Sequence, residues 1–345
     1  MGDEMELRQA LRQYTKKDNR LAYLSLIGNL AVYFAATTAS ILAVEQERWL
    51  IAAFALVVFA FAGVRLYVLQ HDLGHLSLFE TKRQNEIWGY LVSPFTMAAY
   101  PQMRYNHNLH HAYVGDLDAR ETTEIFTMTL QEWEAAGFWK RLHYRLYRNP
   151  FVLIPLGAAF VYFIVYRWPK NARKVGATAM LAHNAAILAY FALIYALSGW
   201  TGVLTVVFAV WLGGMIGVFL VYLQHNFEGT WWDRRPDLDP SRAAIQGGSC
   251  LDFGWVFDEM VANITKHDIH HLVAAIPSYR LRAAHRELEK THALRRISFP
   301  NSPPNGAKAV RRPKKPTQPS SRSHLSTGYS REMVSSMVMS RMERL

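Results

Sequence analysis

Twenty-four consecutive residues, Leu21 to Val44, carry no charged side chain. As a helix that run rises about 36 Å, enough to cross the ~30 Å hydrocarbon core of a bilayer. No other feature limits the possible folds as severely, because in lipid each backbone N–H and C=O must be satisfied within its own element. The pattern recurs. Trp49 to Gln70 has one charge, Arg65, placed near its inner end where it can snorkel to the head groups. Phe151 to Trp168, Thr178 to Ser198 and Gly202 to Leu223 are further apolar candidates. Charged residues make up 19% of the chain, against roughly 25% in a soluble domain. This distribution fits a polytopic membrane protein rather than a water-soluble globule.

The net charge is +11, and the stretch after Asn301 holds nine Lys/Arg against two Glu. No zinc-finger spacing or RNA-binding signature accompanies that charge, so nucleic acid is not an expected partner. Cytoplasmic loops and anionic lipid head groups account for it more simply. The lone cysteine, Cys250, can form no intramolecular disulfide, and its Gly-Gly-Ser-Cys-Leu setting reads as inert. Residues 1–20 are polar and charged, without a cleavable signal, and read as an amphipathic cytoplasmic lead. Glu6 stands where a myristoylation signal needs Ser or Thr. The Pro-, Ser-, Lys- and Arg-rich residues 300–345 read as a disordered tail.

Eight of the fourteen histidines fall in three short clusters, each just outside an apolar run. The first is His71 and His75; the second His107, His110 and His111; the third His267, His270 and His271. The i, i+3 and i+4 spacings put the imidazoles of each cluster on one helix face. That placement is what a metal ion needs, since several ligands must converge to about 2 Å. Eight imidazoles exceed one ion's need and suffice for about four on each of two ions. The absence of cysteine from the clusters argues against iron–sulfur and thiolate zinc; imidazole suits iron, zinc or copper. His225 lies where the last apolar run meets the polar side, level with the clusters, and reads as a ninth ligand. Asp72, Asp118, Glu228 and Asp268 could orient imidazole N–H groups; the alternative for each is a solvated or capping carboxylate. His143, His285, His292 and His324 read as ordinary isolated histidines, and His183 as a packing or hydrogen-bonding group within a span.

If all clusters share one site, the chain must cross the membrane an even number of times between the second and third. One of the three later apolar runs therefore fails to cross. Phe151 to Trp168 is the weakest, bracketed by Pro150 and Pro169 with Pro155 inside and with basic residues on both flanks. The expected fold is all-α and polytopic, with spans at 21–44, 49–70, 178–198 and 202–223. Segments 87–100 and 151–168 are interfacial or re-entrant. Residues 21–299 form one membrane domain, and the clusters and both termini are cytoplasmic. Phe253 to Lys266 has helical period and is expected to lead into the third cluster, and Arg280 to Leu294 reads as an amphipathic helix.

His107 to Glu121 (HNLHHAYVGDLDARE), Gln224 to Trp232 (QHNFEGTWW) and His267 to Leu281 (HDIHHLVAAIPSYRL) resemble the histidine boxes and flanks of membrane-bound fatty acid desaturases, most nearly bacterial acyl-lipid Δ12 or ω-6 enzymes. The resemblance covers roughly residues 20–290. It implies four spans with a cytoplasmic helical cap, two irons held by histidine, and a kinked tunnel for a fatty acyl chain. It also implies O2-dependent formation of a cis double bond, with electrons from ferredoxin or cytochrome b5. No fused cytochrome b5 signature is present in this sequence, so the donor is expected to be a separate protein. His267 stands where front-end desaturases carry Gln, and Val221 where animal acyl-CoA desaturases carry Asn. A lipid hydroxylase or ketolase on the same scaffold is the nearest alternative reading; a non-enzymatic membrane metal or haem protein is the distant one.

Overall fold

Asp18 sets the start of the first membrane-length helix. A short helix, α1 (Gly2–Leu11), and a 3-10 turn (Arg12–Thr15) precede it. The Asp18 carboxylate accepts from the Arg20 and Leu21 N–H groups, capping α2 (Asn19–Glu45). A tight turn through Glu47 leads to α3 (Trp49–Gly74), which packs back along α2; Asn29 of α2 donates to the Ala62 carbonyl at 3.0 Å. The helix α3 outlasts its apolar run and carries the first cluster to the helix end. The computed structural model describes residues 2–120, 125–168, 171–227, 230–290 and 296–298. The tail 300–345, Glu228 and His292 lie outside them.

A capping box of Thr81 and Gln84 opens α4 (Lys82–Thr96), and α5 (Tyr100–Tyr113) follows. The apolar segment 87–100, expected as one piece, is divided between these helices by Met97, which is left-handed at φ 59°. Pro94 inside α4 can donate nothing to the Tyr90 carbonyl; Ser93 Oγ donates there instead at 3.1 Å. The joint is fixed by Tyr100. Its ring lies against Gly89, where an added Cβ would come within 2.4 Å, and its hydroxyl donates to Leu73 O at 2.9 Å.

Next come α6 (Leu130–Ala135), α7 (Phe138–Arg148), α8 (Pro150–Phe163) with a 3-10 turn (Val165–Arg167), and α9 (Ala172–His225). Gly176 and Gly199 have non-helical backbone within α9. As a straight rod, 54 residues would span about 81 Å. Yet both ends meet α5: Gln102 donates to Gly176 O, and His225 Nε2 lies 3.1 Å from His110 Nε2. The chain therefore reverses at Gly199, whose φ of 57° with ψ of −152° is a conformation that glycine tolerates best. Gly213, whose Cβ would lie 3.1 Å from the Ala60 carbonyl, lets the returning arm approach α3 closely.

Among the described residues, four stretches are long and apolar enough to cross a membrane: Asn19–Glu45, Trp49–Gly74, Pro150–Arg167 and Ala172–His225. The third has a particular geometry. Before it, Arg148 donates to Asn226, beside His225; after it, Asn171 donates to Asn106, beside His107. Both flanks thus meet the histidine side.

The remaining elements are α10 (Pro240–Gln246), β1 (Cys250–Asp252), α11 (Trp255–Met260), α12 (His267–Leu272), α13 (Ser278–Leu288) and β2 (Arg296–Ser298). The two strands pair in parallel, Leu251 opposite Ile297. Phe253 to Lys266 is not the single helix its period predicts. It stops at Met260, and Ala262 and Asn263 turn left-handed. Asp258 drives the break: its side chain accepts from Thr265 Oγ1 at 2.6 Å and pairs with Lys266 at 3.1 Å, pulling the chain round. The N-terminal lead is no free arm either. Leu7 and Leu11 bury against Leu272, Ile276 and Leu281, and Arg8 donates to Leu272 O.

Candidate metal centre

The first cluster projects from the last turn of α3, the second from α5, the third from α12, and His225 from the end of α9. Helical pitch aligns each cluster, and three ties bring the helices together. Tyr100 joins α3 to α5, Gln224 Nε2 donates to Ile264 O just ahead of α12, and Ser278 N donates to Asp72 Oδ2 at 2.7 Å. Gly248 admits the backbone of His267 and Asp268, with an added Cβ only 3.3 Å from Asp268 Cα.

All nine expected histidines meet, in two groups. His71, His75, His107, His111 and His270 form one; His110, His225, His267 and His271 form the other. Within each, one ring nitrogen per residue lies within 4.8 Å of all the rest. The even split expected from eight ligands is thus five and four, with the second and third clusters each serving both groups. In the four-membered group the Nε2 atoms form a ring: His110–His225 at 3.1 Å, His225–His267 at 2.9 Å, His267–His271 at 3.0 Å and His271–His110 at 3.3 Å. Ligands about 2.0–2.1 Å from one ion stand roughly 2.9–3.4 Å apart, depending on coordination number. The spacing fits.

Ring orientation fits as well. His225 Nδ1 lies 3.0 Å from Gly247 O; a carbonyl only accepts, so Nδ1 carries the proton and Nε2 offers its lone pair. His71 Nδ1 lies 3.4 Å from Asp72 Oδ1, and His71 Nε2 is buried without a hydrogen-bond partner among the described residues, as is His75 Nε2. Burial, followed by repulsion from neighbouring imidazoles, holds His107, His111, His267, His270 and His271 well below the ordinary histidine range, and His110 is pushed down to about 4. Neutral imidazole is the metal-binding form.

Of the four expected carboxylates, Glu228 lies outside the described residues and the other three part ways. Asp72 touches His71, as above. Asp118 does not orient a ring: Arg234 and the Arg235 N–H occupy it at 2.5 and 3.0 Å, because the chain past Trp232 folds back over α5's exit. Asp268 is buried and accepts from Ile269 N at 2.8 Å. Sequence reasoning missed the Gly247 carbonyl, which no side-chain pattern could reveal, and the Asp72–Ser278 tie. His183 lies 3.0 Å from Ser93 Oγ, and His285 lies 3.1 Å from Cys250 Sγ and 3.3 Å from Glu289; neither joins the groups.

The fatty acid desaturase family profile matches residues 47–299. This chain belongs to the fatty acid desaturase family. The relatives agree. A fatty acid desaturase of Bacillus subtilis is 30% identical over 301 residues, 87% of this chain and 85% of that one. The sn-1 oleoyl-lipid 12-desaturase of a Picosynechococcus is 27% identical over 65% of each chain. The sn-1 acyl-lipid omega-3 desaturase (ferredoxin) of a Synechocystis is 25% identical over 64% of this chain and 62% of that one. Family membership makes the chain an oxidoreductase, and the two histidine groups are where a metal ion could be held.

Proposed function

We propose that this desaturase introduces a cis double bond into a fatty acyl chain of a membrane lipid, using O2 and two irons. His71, His75, His107, His111 and His270 would hold one iron, and His110, His225, His267 and His271 the other. The observation that carries the reading is the all-histidine, two-group site within a desaturase-family chain. Electrons would come from a separate donor of the ferredoxin or cytochrome b5 type; ferredoxin is the donor in the name of the Synechocystis relative. By the positive-inside rule the histidine side and the termini face the cytoplasm. The segment 151–168 then dips into the bilayer and returns, since both its flanks meet the histidine side.

An unactivated methylene has no acidity for acid–base chemistry to use. Iron held by these histidines would supply, with O2, the oxidising power needed to take hydrogen from such a carbon. The protein's part is placement and exclusion of water. Gly247 O and Asp72 fix the tautomers of His225 and His71, so that both aim a lone pair inward. Burial keeps the imidazoles of α5 and α12 neutral. The apolar faces of the membrane-length helices supply a non-aqueous surround for an acyl chain.

The test is expression in a host with a competent electron donor, followed by mass spectrometry of derivatised fatty acids. A new double bond, absent for His107→Ala and His270→Ala, is the expected result. An unchanged lipid profile from metal-loaded protein, or a hydroxylated product, would overturn the reading.

A further inference from the structure

Helix α7 is built inside out. Its sequence, FWKRLHYRLYR, carries four cations, Lys140, Arg141, Arg145 and Arg148, and no acid. Its apolar side chains Phe138, Trp139, Leu142 and Leu146 share one arc of about 100°. In a water-soluble protein that arc would face the core. Here it faces outward: Phe138 is 71% exposed, Trp139 78% and Leu146 50%, and no residue of α7 is buried. The polar and aromatic face turns inward instead. Tyr144 and Tyr147 accept from the Met128 and Phe126 N–H groups, each at 3.1 Å. Arg141 and Arg145 cover the Trp133 ring, and Arg148 reaches Asn226.

The outward apolar arc does not end with α7. After Asn149 it runs on into α8 through Phe151, Leu156, Phe160 and Ile164, each more than half exposed. Composition makes that second stretch membrane-length. The exposed arc of α7 therefore runs directly into a stretch of membrane length and composition, and it is accompanied by two exposed cations, Lys140 and Arg145.

We propose that α7 is a membrane-surface helix. Its Phe138–Leu146 arc lies in the acyl boundary, and the exposed Lys140 and Arg145 engage the phosphates of an anionic lipid. The inference rests on the membrane reading of the apolar helices and not on the desaturation chemistry.

The test uses the full-length chain, whose single native cysteine, Cys250, is buried and serves as the unlabelled background. Trp139→Cys, Leu146→Cys, Leu188→Cys and Lys290→Cys are labelled with bimane and reconstituted in phosphatidylcholine vesicles, with or without phosphatidylglycerol, and with or without brominated acyl chains. Leu188, exposed on membrane-length α9, reports correct insertion; Lys290, exposed after α13, reports the aqueous side. Labels at 139 and 146 are expected to lose most of their emission in brominated vesicles, as the Leu188 label does, while the Lys290 label keeps its own. Phosphatidylglycerol deepens the loss at 139, and K140Q/R145Q abolishes that dependence. Unquenched labels at 139 and 146 beside a quenched Leu188 label would overturn the proposal. So would protection of both labels by a soluble acidic electron carrier, which would make the face a protein dock.

Discussion

Asp72 faces two N–H groups at once. Oδ1 lies 3.4 Å from His71 Nδ1, and Oδ2 accepts from Ser278 N at 2.7 Å. Asn at this position keeps one acceptor and turns an NH2 toward the other N–H. Asp72→Asn is therefore expected to weaken metal binding about 10- to 100-fold, the usual effect of losing a partner behind a ligand. Competition with a chelator, read as metal per chain by mass spectrometry, measures it; unchanged affinity would mean that the carboxylate does not act on the ring. His225 offers a cleaner contrast. It belongs to the four-membered group alone, so on the proposed two-ion reading His225→Ala should lower bound metal by about half, toward the one ion the other group would hold. His183→Ala, outside both groups, should leave the content unchanged. A full metal complement in H225A would remove His225 from the site.

At the scale of elements, the site depends on joints more than on the helices themselves. Gly89→Ala would drive a Cβ into the Tyr100 ring, and that ring holds the α3–α4–α5 junction. Overpacking of this kind costs about 1–3 kcal/mol, seen as a lower melting temperature of the solubilised protein. Asp258→Ala would leave the buried Lys266 ammonium, immediately before His267, with the Leu251 carbonyl but without its carboxylate. Breaking one side of a buried pair costs about 3–5 kcal/mol, and loosened metal at the third cluster should accompany the lower stability. An unchanged melt in both variants would mean that these joints are slack. The same joints explain what the sequence could and could not disclose. Apolar runs and i, i+3, i+4 histidines are local patterns set by helical pitch, so the long apolar helices and the gathering of the nine histidines were readable directly. The five-and-four grouping depends on how four helices converge, and Asp118's capture by Arg234 depends on a contact 116 residues away. Neither leaves a local signal. The break after Met260 was hidden because Asp258 overrides a periodic stretch through its side chain, which periodicity does not weigh.

Across the whole molecule, gathering nine imidazoles into one buried site makes stability a function of acidity. The site histidines on α5 and α12 are held below the ordinary range, first by burial and then by one another; His110 is pushed down to about 4. An unfolded histidine takes up its proton near pH ~6.5. Between these values the unfolded chain binds more protons than the folded one, so stability falls as pH falls. The full contribution is present above about pH 6.5. It is lost progressively as the pH drops toward the folded values. Bound metal shifts the loss to lower pH, because each ligand must first surrender its lone pair to a proton. The metal-free chain in detergent is therefore expected to melt at steadily lower temperature as the pH is taken from neutral to about 4, and the metal-loaded chain to hold its melting temperature further into acid and then release metal as it falls. Calorimetry across that range, with metal release followed in parallel, checks both. A melting temperature that is flat with pH in the metal-free chain would show that the imidazoles of α5 and α12 are not held neutral by the fold.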